Sequence, residues 1–422
     1  MPSPSVSIPT GVSPQALLAA VKEETHFEPH GDPTGNLTLG RGTIGGKPLR
    51  VALIESRIAS GSLGVAECAI LAKFFRVVAL EKSPLILFLD SAGARVSEGL
   101  PALGAFRTMF GAALATATSG VPMVSILGNN CFGGASMLAH LARVRIFSPN
   151  TVLAMSGPSI LAQAAGASAL DESFRAITNA AIGAQARART VERNRVCADT
   201  VALGELLRGA LREAATAEAF ETRHGMLKER LGKALEVFQG TSLQRRDLDK
   251  LFPERYCLHE QHGVVTGDAH DHGVDHDVLG FIGGTPLGAV QAWQLADLAW
   301  QLARSTSRPV ILLLDCDSHA TRLDDEKLVL SEYLADLSLA FAASPERGLT
   351  TVVLHKAGGG VYVAFASPAN KVELVHGGEI QVLPGSAIAS ILGENVATKA
   401  EFNDYLNAGV AEVELRLGLV PL

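Results

Sequence analysis

Aromatic residues are scarce in this chain, at 5% of its 422 residues. Glycine numbers 42, and the apolar share is 47%. Small residues in that proportion suit closely packed α/β layers, where helices sit tight on strands. Long basic runs are absent and the net charge is −7, so nothing indicates nucleic acid. The cysteines (Cys68, Cys131, Cys197, Cys257, Cys316) form no CxxC pair, which excludes a zinc ribbon and a disulfide framework. No uninterrupted apolar stretch reaches about 18 residues, so no membrane span is expected. The opening MPSPSVSIPTGVSPQ has neither a basic start nor a long apolar segment. The expectation is a cytoplasmic protein without a signal peptide.

Several catalytic signatures are missing too. Without GxSxG, a nucleophile-elbow hydrolase is unsupported. Without GxxxxGK[ST], a nucleotide triphosphatase is unsupported. GRGTIGG lies between two β-like runs and opens no helix, so it is a poor dinucleotide fingerprint. HEQHGVVTGDAHDHGVDHD holds His259, His262, His270, His272 and His276 with Asp268, Asp271 and Asp275. Its spacing matches no zinc motif, so it reads as a polar connector and no metal is assigned.

What is present is alternation. After a polar leader and a helix around PQALLAAVKEE come two β-like runs, LTLGRGTI and LRVALIESRIAS. GVAECAILAKFFRVVALEK has helical periodicity and hands over to PLILFLD, a continuous apolar run suited to a buried strand. Loop, helix, strand (VPMVSIL), glycine loop and helix follow. Such alternation argues for a mostly parallel sheet. The second half echoes the first. GGKPLRVA at 45 is matched with GGTPLGAV at 283, and PLILFLDSAGAR at 84 with PVILLLDCDSHATR at 309. GNNCFGGAS at 128 is matched with HKAGGGVYVA at 355, and PNTVLAMSGPSI at 149 with GGEIQVLPGSAI at 377. The order is kept at an offset of roughly 225 to 240 residues, which reads as a tandem duplication. The expected domains are 1–215 and 256–422, with a helical connector over 216–255.

Each repeat places glycine-bearing loops after two successive buried strands. Ligands bind at the carboxyl ends of parallel strands. A helix that starts directly after such a loop offers unpaired N–H groups and its positive dipole end. Two N–H groups from neighbouring loops make an oxyanion hole. The candidate catalytic residues are Ala92, Gly93, Gly133 and Gly134 in the first repeat, and Gly359 and Gly360 in the second. Ala94, Arg95, Ala135, Ser318, His319 and Gly358 are candidates for binding substrate. From the residues alone, the reading stops at an enzyme that forms an enolate from a thioester.

These loops also carry a family resemblance. SGSLGVAECAILAKFFRVVALEKSPLILFLDSAGARVSEGL resembles the carboxyltransferase domains of biotin-dependent acyl-CoA carboxylases, in the crotonase superfamily. NCFGGASM and AMSGPSILAQAAG are similar to the β subunit of biotin-independent malonate decarboxylase. VLGFIGGTPLGAVQAWQLADLAWQL, AGGGVYVAFA and EIQVLPGSAIASIL are similar to its γ subunit. The resemblance implies two tandem crotonase-like (ClpP/crotonase) ββα-superhelix domains, with both subunits fused in one chain. It implies decarboxylation of a malonyl thioester to an acetyl thioester and CO2. The thioester side would be Ala92, Gly93, Gly133 and Gly134, and the carboxyl side Ser318, His319, Gly359 and Gly360. It further implies a substrate with a coenzyme A-like arm, no tightly bound cofactor, an acyl carrier protein, an acyl transferase subunit and at least a homodimer. A biotin-dependent acyl-CoA carboxyltransferase and a non-catalytic scaffold that binds a carrier protein are the alternatives.

Overall fold

The computed structural model describes residues 12–166, 172–232, 238–384, 388 and 400–417. The start of the polar leader and the end of the EIQVLPGSAIASIL landmark lie outside them. In the first repeat, β1 (Leu37–Ile44) and β2 (Lys47–Ile54) form a hairpin. Its turn, Gly45–Gly46, has φ of +57° and +75°, which glycine adopts freely. Then come α1 (Val65–Glu81), β3 (Leu85–Ser91), α2 (Gly99–Thr118), β4 (Met123–Phe132), α3 (Gly134–Leu141), β5 (Val144–Phe147), β6 (Val152–Ala154) and β7 (Asn194–Val196). Strands β2, β3, β4, β5 and β7 are parallel neighbours in that order, and β6 pairs with the outer part of β4.

After α4 (Phe220–Leu231) the second repeat begins with β8 (Arg255–Gln261), β9 (Val264–Asp271) and β10 (Val274–Phe281). It continues through α5 (Ala289–Ser305), β11 (Val310–Cys316), α6 (Leu330–Phe341), β12 (Leu349–Gly358), α7 (Gly359–Ala366), β13 (Lys371–Val375), β14 (Glu379–Gln381) and β15 (Val413–Leu415). The parallel order β10-β11-β12-β13-β15, with β14 on the end of β12, repeats the first sheet. The fold is therefore α/β with two tandem crotonase-like sheets. The repetition reaches fine detail. The register shifts between Leu89 and Ser91, and again between Leu314 and Cys316. The bridge Leu63–Ala94 recurs as Leu287–His319.

One core spans both repeats. Leu85, Leu87 and Leu89 of β3 and Leu312 and Leu314 of β11 bury in the same cluster, with α1, α2, α3, α5, α6 and α7 between the sheets. The outer face of the first sheet is covered by the helices Pro14–Glu24 and Leu203–Ala215, and that of the second by Arg246–Leu251. Glycine in α2 permits close approach to the second repeat. A Cβ on Gly104 would stand 1.7 Å from Ala408 O, and one on Gly111 2.7 Å from Ser367 O. Between them Arg107 donates to Ala366 O (3.0 Å), Gly409 O (3.1 Å) and Glu412 (2.6 Å). No described helix is long and apolar enough to cross a membrane.

Three sequence expectations change. The GGKP–GGTP match does not hold, because Gly45–Gly46 turn a hairpin whereas Gly283–Gly284 follow β10 and precede α5. The counterpart of GGTPLG is Ala59–Gly64, which leads into α1 as Gly283–Gly288 lead into α5. In the other three matches the described strands take corresponding places in the two sheets. GNNCF is also not a loop, since β4 continues to Phe132 and its last residues pair with β6. Finally, the His-rich segment is no connector but an antiparallel meander. Its turns, His262–Gly263 (φ +50°, +85°) and His272–Gly273 (φ +49°, +74°), have the two positive φ values that tight hairpins require.

Candidate active site

Loop Ser91–Arg95 leaves β3 and meets the turn between β4 and α3. Gly93 has φ +89°, and a Cβ there would stand 2.9 Å from Phe132 O and 3.3 Å from Gly134 N. The two loops predicted to converge are therefore in contact. Three of the expected N–H groups, however, are already donated inside the protein. Ala92 N–H donates to Ser60 O (2.9 Å), and Gly93 N–H to Ser91 Oγ (3.1 Å). Gly133 N–H is shared by Ala154 O (3.2 Å) and Met155 O (3.1 Å). An N–H already donated inside the protein is not offered to a ligand. Among the described residues, the N–H groups without a protein acceptor here are those of Ala94, Gly134 and Ala135. The last two open α3, whose first turn has no side-chain cap.

The double glycine also has local causes. Gly133 sits at φ +55°, ψ −134°, which a side chain rarely adopts. Gly134 packs on Phe106, whose ring would lie 2.4 Å from an added Cβ. Arg95, expected to bind substrate, is held by partners of its own repeat. It pairs with Glu67 and with Glu98 (2.7 Å) and donates to Ser62 O (2.8 Å). Glu98 in turn accepts Val65 N–H (2.8 Å) at the start of α1. Arg322 and Asp325 repeat this clasp, with Asp325 accepting Ala289 N–H (2.8 Å) at the start of α5. Arg95 thus fixes its loop against the start of α1.

In the second repeat, Gly359 matches Gly133, with φ +53°. A Cβ on Gly359 would meet Ser318 Oγ at 3.0 Å and His319 Nδ1 at 3.6 Å. Gly358 closes on Asp317 O, 2.5 Å from its Cβ position. Gly360 abuts the first repeat, because its Cβ position lies 2.4 Å from Met155 Cε and 3.4 Å from Met137 Sδ. The two glycine ends therefore meet through methionines, with Met155 also accepting from Gly133.

A buried polar seam joins them. His319 Nε2 is 3.2 Å from Ser156 Oγ, and its Nδ1 is 3.2 Å from Ser318 Oγ. Burial lowers the His319 pKa to about 4, so the ring is neutral at ordinary pH. Glu326, fully buried, accepts the N–H groups of Ser156 (2.8 Å) and Met155 (3.3 Å). Arg187 lies 3.5 Å from the Glu326 carboxylate and donates to Glu326 O (2.6 Å) and Leu153 O (2.9 Å). Burial pushes the Glu326 pKa up to about 7, against the pull of Arg187 and the two N–H groups. Ser156, Glu326 and Arg187 were missed in the sequence. Ser156 lies inside AMSGPSIL, and that landmark was the available signal. Arg187 and Glu326 look like surface charge in charged helical runs.

Cys131, beside the loop, is fully buried. Burial raises Cys131, and Asp90 adds to the rise. An open groove of about 380 Å³ lies elsewhere, lined by Asp247, Lys250, His355, His376, Gly377 and Arg416. It belongs to the outer face of the second sheet and contains no glycine-loop residue.

Residues 15–182 match the family model described as the carboxyl transferase domain. The match covers less than half of the chain, so the resemblance holds for this stretch. The chain is similar to the methylmalonyl-CoA carboxyltransferase 12S subunit of Propionibacterium freudenreichii, 29% identical over 134 residues, covering 32% of this chain and 25% of that protein. It is also similar to the acetyl-coenzyme A carboxylase carboxyl transferase subunit beta of Mesorhizobium japonicum, 35% identical over 124 residues, 29% of this chain and 40% of that one. The chain thus spans well under half the length of these relatives. Among solved structures, transcarboxylase 12S has a TM-score of 0.40 and 19% identity, covering 95% of this chain and 86% of that one. A Pseudomonas malonate decarboxylase hetero-tetramer in complex with malonate has a TM-score of 0.46 and 20% identity, covering 53% and 91%.

Proposed function

We propose that the chain decarboxylates a malonyl thioester, carried on coenzyme A or on a carrier protein with a coenzyme A-like arm. The carrying observation is the start of α3, where the unpaired Gly134 N–H meets the loop that bears the Ala94 N–H. In this reading both N–H groups donate to the thioester oxygen as negative charge develops there. The bond to the carboxyl carbon breaks, CO2 leaves, and the electron pair becomes the enolate. Carbon then takes a proton from the Ser156 hydroxyl. Ser156 regains it from His319 Nε2, while His319 Nδ1 takes one from Ser318, which is resupplied from solvent. A neutral imidazole suits such a relay, because neither end needs to hold a charge in the apolar seam.

A second reading is carboxyl transfer between biotin and an acyl-CoA, favoured by the family match over residues 15–182. The Ser156–His319 pair supports decarboxylation instead, since a proton source beside the enolate competes with recarboxylation. The same reading carries with it a carrier-protein partner, an acyl transferase partner and a homodimer. The experiment is incubation of the folded chain with malonyl-coenzyme A and with malonyl carrier protein, with and without biotin. Biotin-independent CO2 release with formation of the acetyl thioester is expected. No release from either substrate would sink the proposal, and carboxyl transfer only in the presence of biotin would select the second reading.

A further inference from the structure

Behind the far end of α3 lies a second polar cluster that the proposed reaction does not use. His140, in the last turn of α3, is fully buried, and neither ring nitrogen has a protein partner. Arg223 of α4 is also buried and donates from Nη1 to His140 O (2.7 Å), but its Nε and Nη2 reach no protein acceptor. Arg143 stacks 3.4 Å over the Phe220 ring, with Arg223 at 4.9 Å on the same ring, and Arg143 Nη1 is likewise unpartnered. Arg145 donates to neutral groups, Asn194 Oδ1 (2.6 Å) and Ala142 O (2.9 Å).

Among the described residues, Arg143, Arg145 and Arg223 form no ion pair. The nearby carboxylates are otherwise engaged. Glu332 pairs with Arg230 (2.7 Å), and Asp336 holds His224 (2.6 Å) while keeping one oxygen unpartnered. Burial, and then repulsion from Arg223 and Arg193, pulls Arg143 down to about 9. Burial likewise lowers Arg145, to about 10, with Glu332 opposing and Arg223 adding to the fall. Arg145 and Arg223 are buried and Arg143 is half-buried; Glu332, and for Arg223 also Asp336, offset part of their charge, and water satisfies hydrogen bonds but not charge.

We propose that His140, Arg143 and Arg223 form a buried site for one small monovalent anion, chloride or hydrogencarbonate. The guanidiniums supply charge and N–H donors, and the imidazole supplies one further N–H. The site lies one length of α3, about 12 Å, from the glycine end. It also ties α3 to α4, the helix that precedes the second repeat, so occupancy stabilises the folded chain by linkage.

The test uses the full chain. Crystals grown in bromide should give an anomalous peak within about 3.5 Å of the Arg223 and His140 nitrogens. The melting temperature should rise by a few degrees between roughly 10 mM and 300 mM bromide, relative to gluconate, and Arg223→Met should lose most of that rise. Hydrogencarbonate that displaces the bromide peak identifies itself as the occupant; a peak that persists identifies chloride. If Arg223→Met does not fold, the milder Arg143→Met takes its place. No peak overturns the proposal. A peak with an unchanged salt response in the variants also overturns it, as an adventitious ion only.

Discussion

Gly134 and Gly360 occupy matching places in the two repeats, yet they face different neighbours. Gly134 packs on the rigid Phe106 ring of its own repeat, whereas Gly360 packs on the flexible tips of Met155 and Met137 from the other. The loops beside them differ as well. Ser91–Arg95 presents backbone and a clamped arginine, but Asp317–Ala320 presents a neutral, hydrogen-bonded histidine. One backbone plan has thus been specialised twice. The first copy keeps bare N–H groups and contributes Ser156 to the seam, and the second contributes the Ser318 hydroxyl and the His319 imidazole.

The strongest way to break this contrast is through the side chains of the seam. Ser156→Ala should lower the decarboxylation rate by about 10²- to 10⁴-fold, as expected for loss of a proton donor, with the melting temperature little changed. A rate within a few fold of the parent would show that Ser156 is only structural.

Next comes the glycine pair itself. Gly134→Ala drives a methyl group into a ring 2.4 Å away and should cost about 1–3 kcal/mol in urea unfolding. Gly360→Ala meets the movable end of Met155 at the same 2.4 Å and should cost under about 1 kcal/mol. Equal losses would remove the packing distinction between the repeats.

The smallest effect is on pH dependence. Glu326 is raised from 4.5 to about 7, so its contribution to stability is full below pH 4.5 and is lost as pH rises through 7. His319 is lowered from 6.5 to about 4, so its contribution is full above pH 6.5 and is lost as pH falls through 4. The two slopes oppose each other in the parent protein. His319→Gln should leave stability falling between about pH 4.5 and 7, and Glu326→Gln should leave it rising between about pH 4 and 6.5. Urea midpoints measured across that range test both signs, and variants with the same slope would contradict the assignment.

Local pattern carried much of the fold into the sequence. PLILFLD and PVILLLD announced buried parallel strands, and the loops that follow them announced the glycine ends. The GGKP–GGTP match misled because two glycines mark any sharp turn, and here one pair turns a hairpin while the other precedes a helix. The His-Gly pairs at 262 and 272 signalled hairpins, but the histidine-rich composition around them suggested a connector. Ala94 and not Gly93 keeps an undonated N–H because the Ser91 hydroxyl takes the Gly93 N–H, a contact that spacing does not reveal. Ser156 and His319 are 163 positions apart, so only the folded chain brings them together.

The most direct measurement is a crystal structure of the full chain with a non-reactive malonyl thioester analogue. The thioester oxygen should accept from the Ala94 and Gly134 N–H groups, with the carbon bearing the carboxylate turned toward Ser156 and His319. An analogue bound with that oxygen away from both N–H groups, or in the groove beside His355 and His376, would contradict the account.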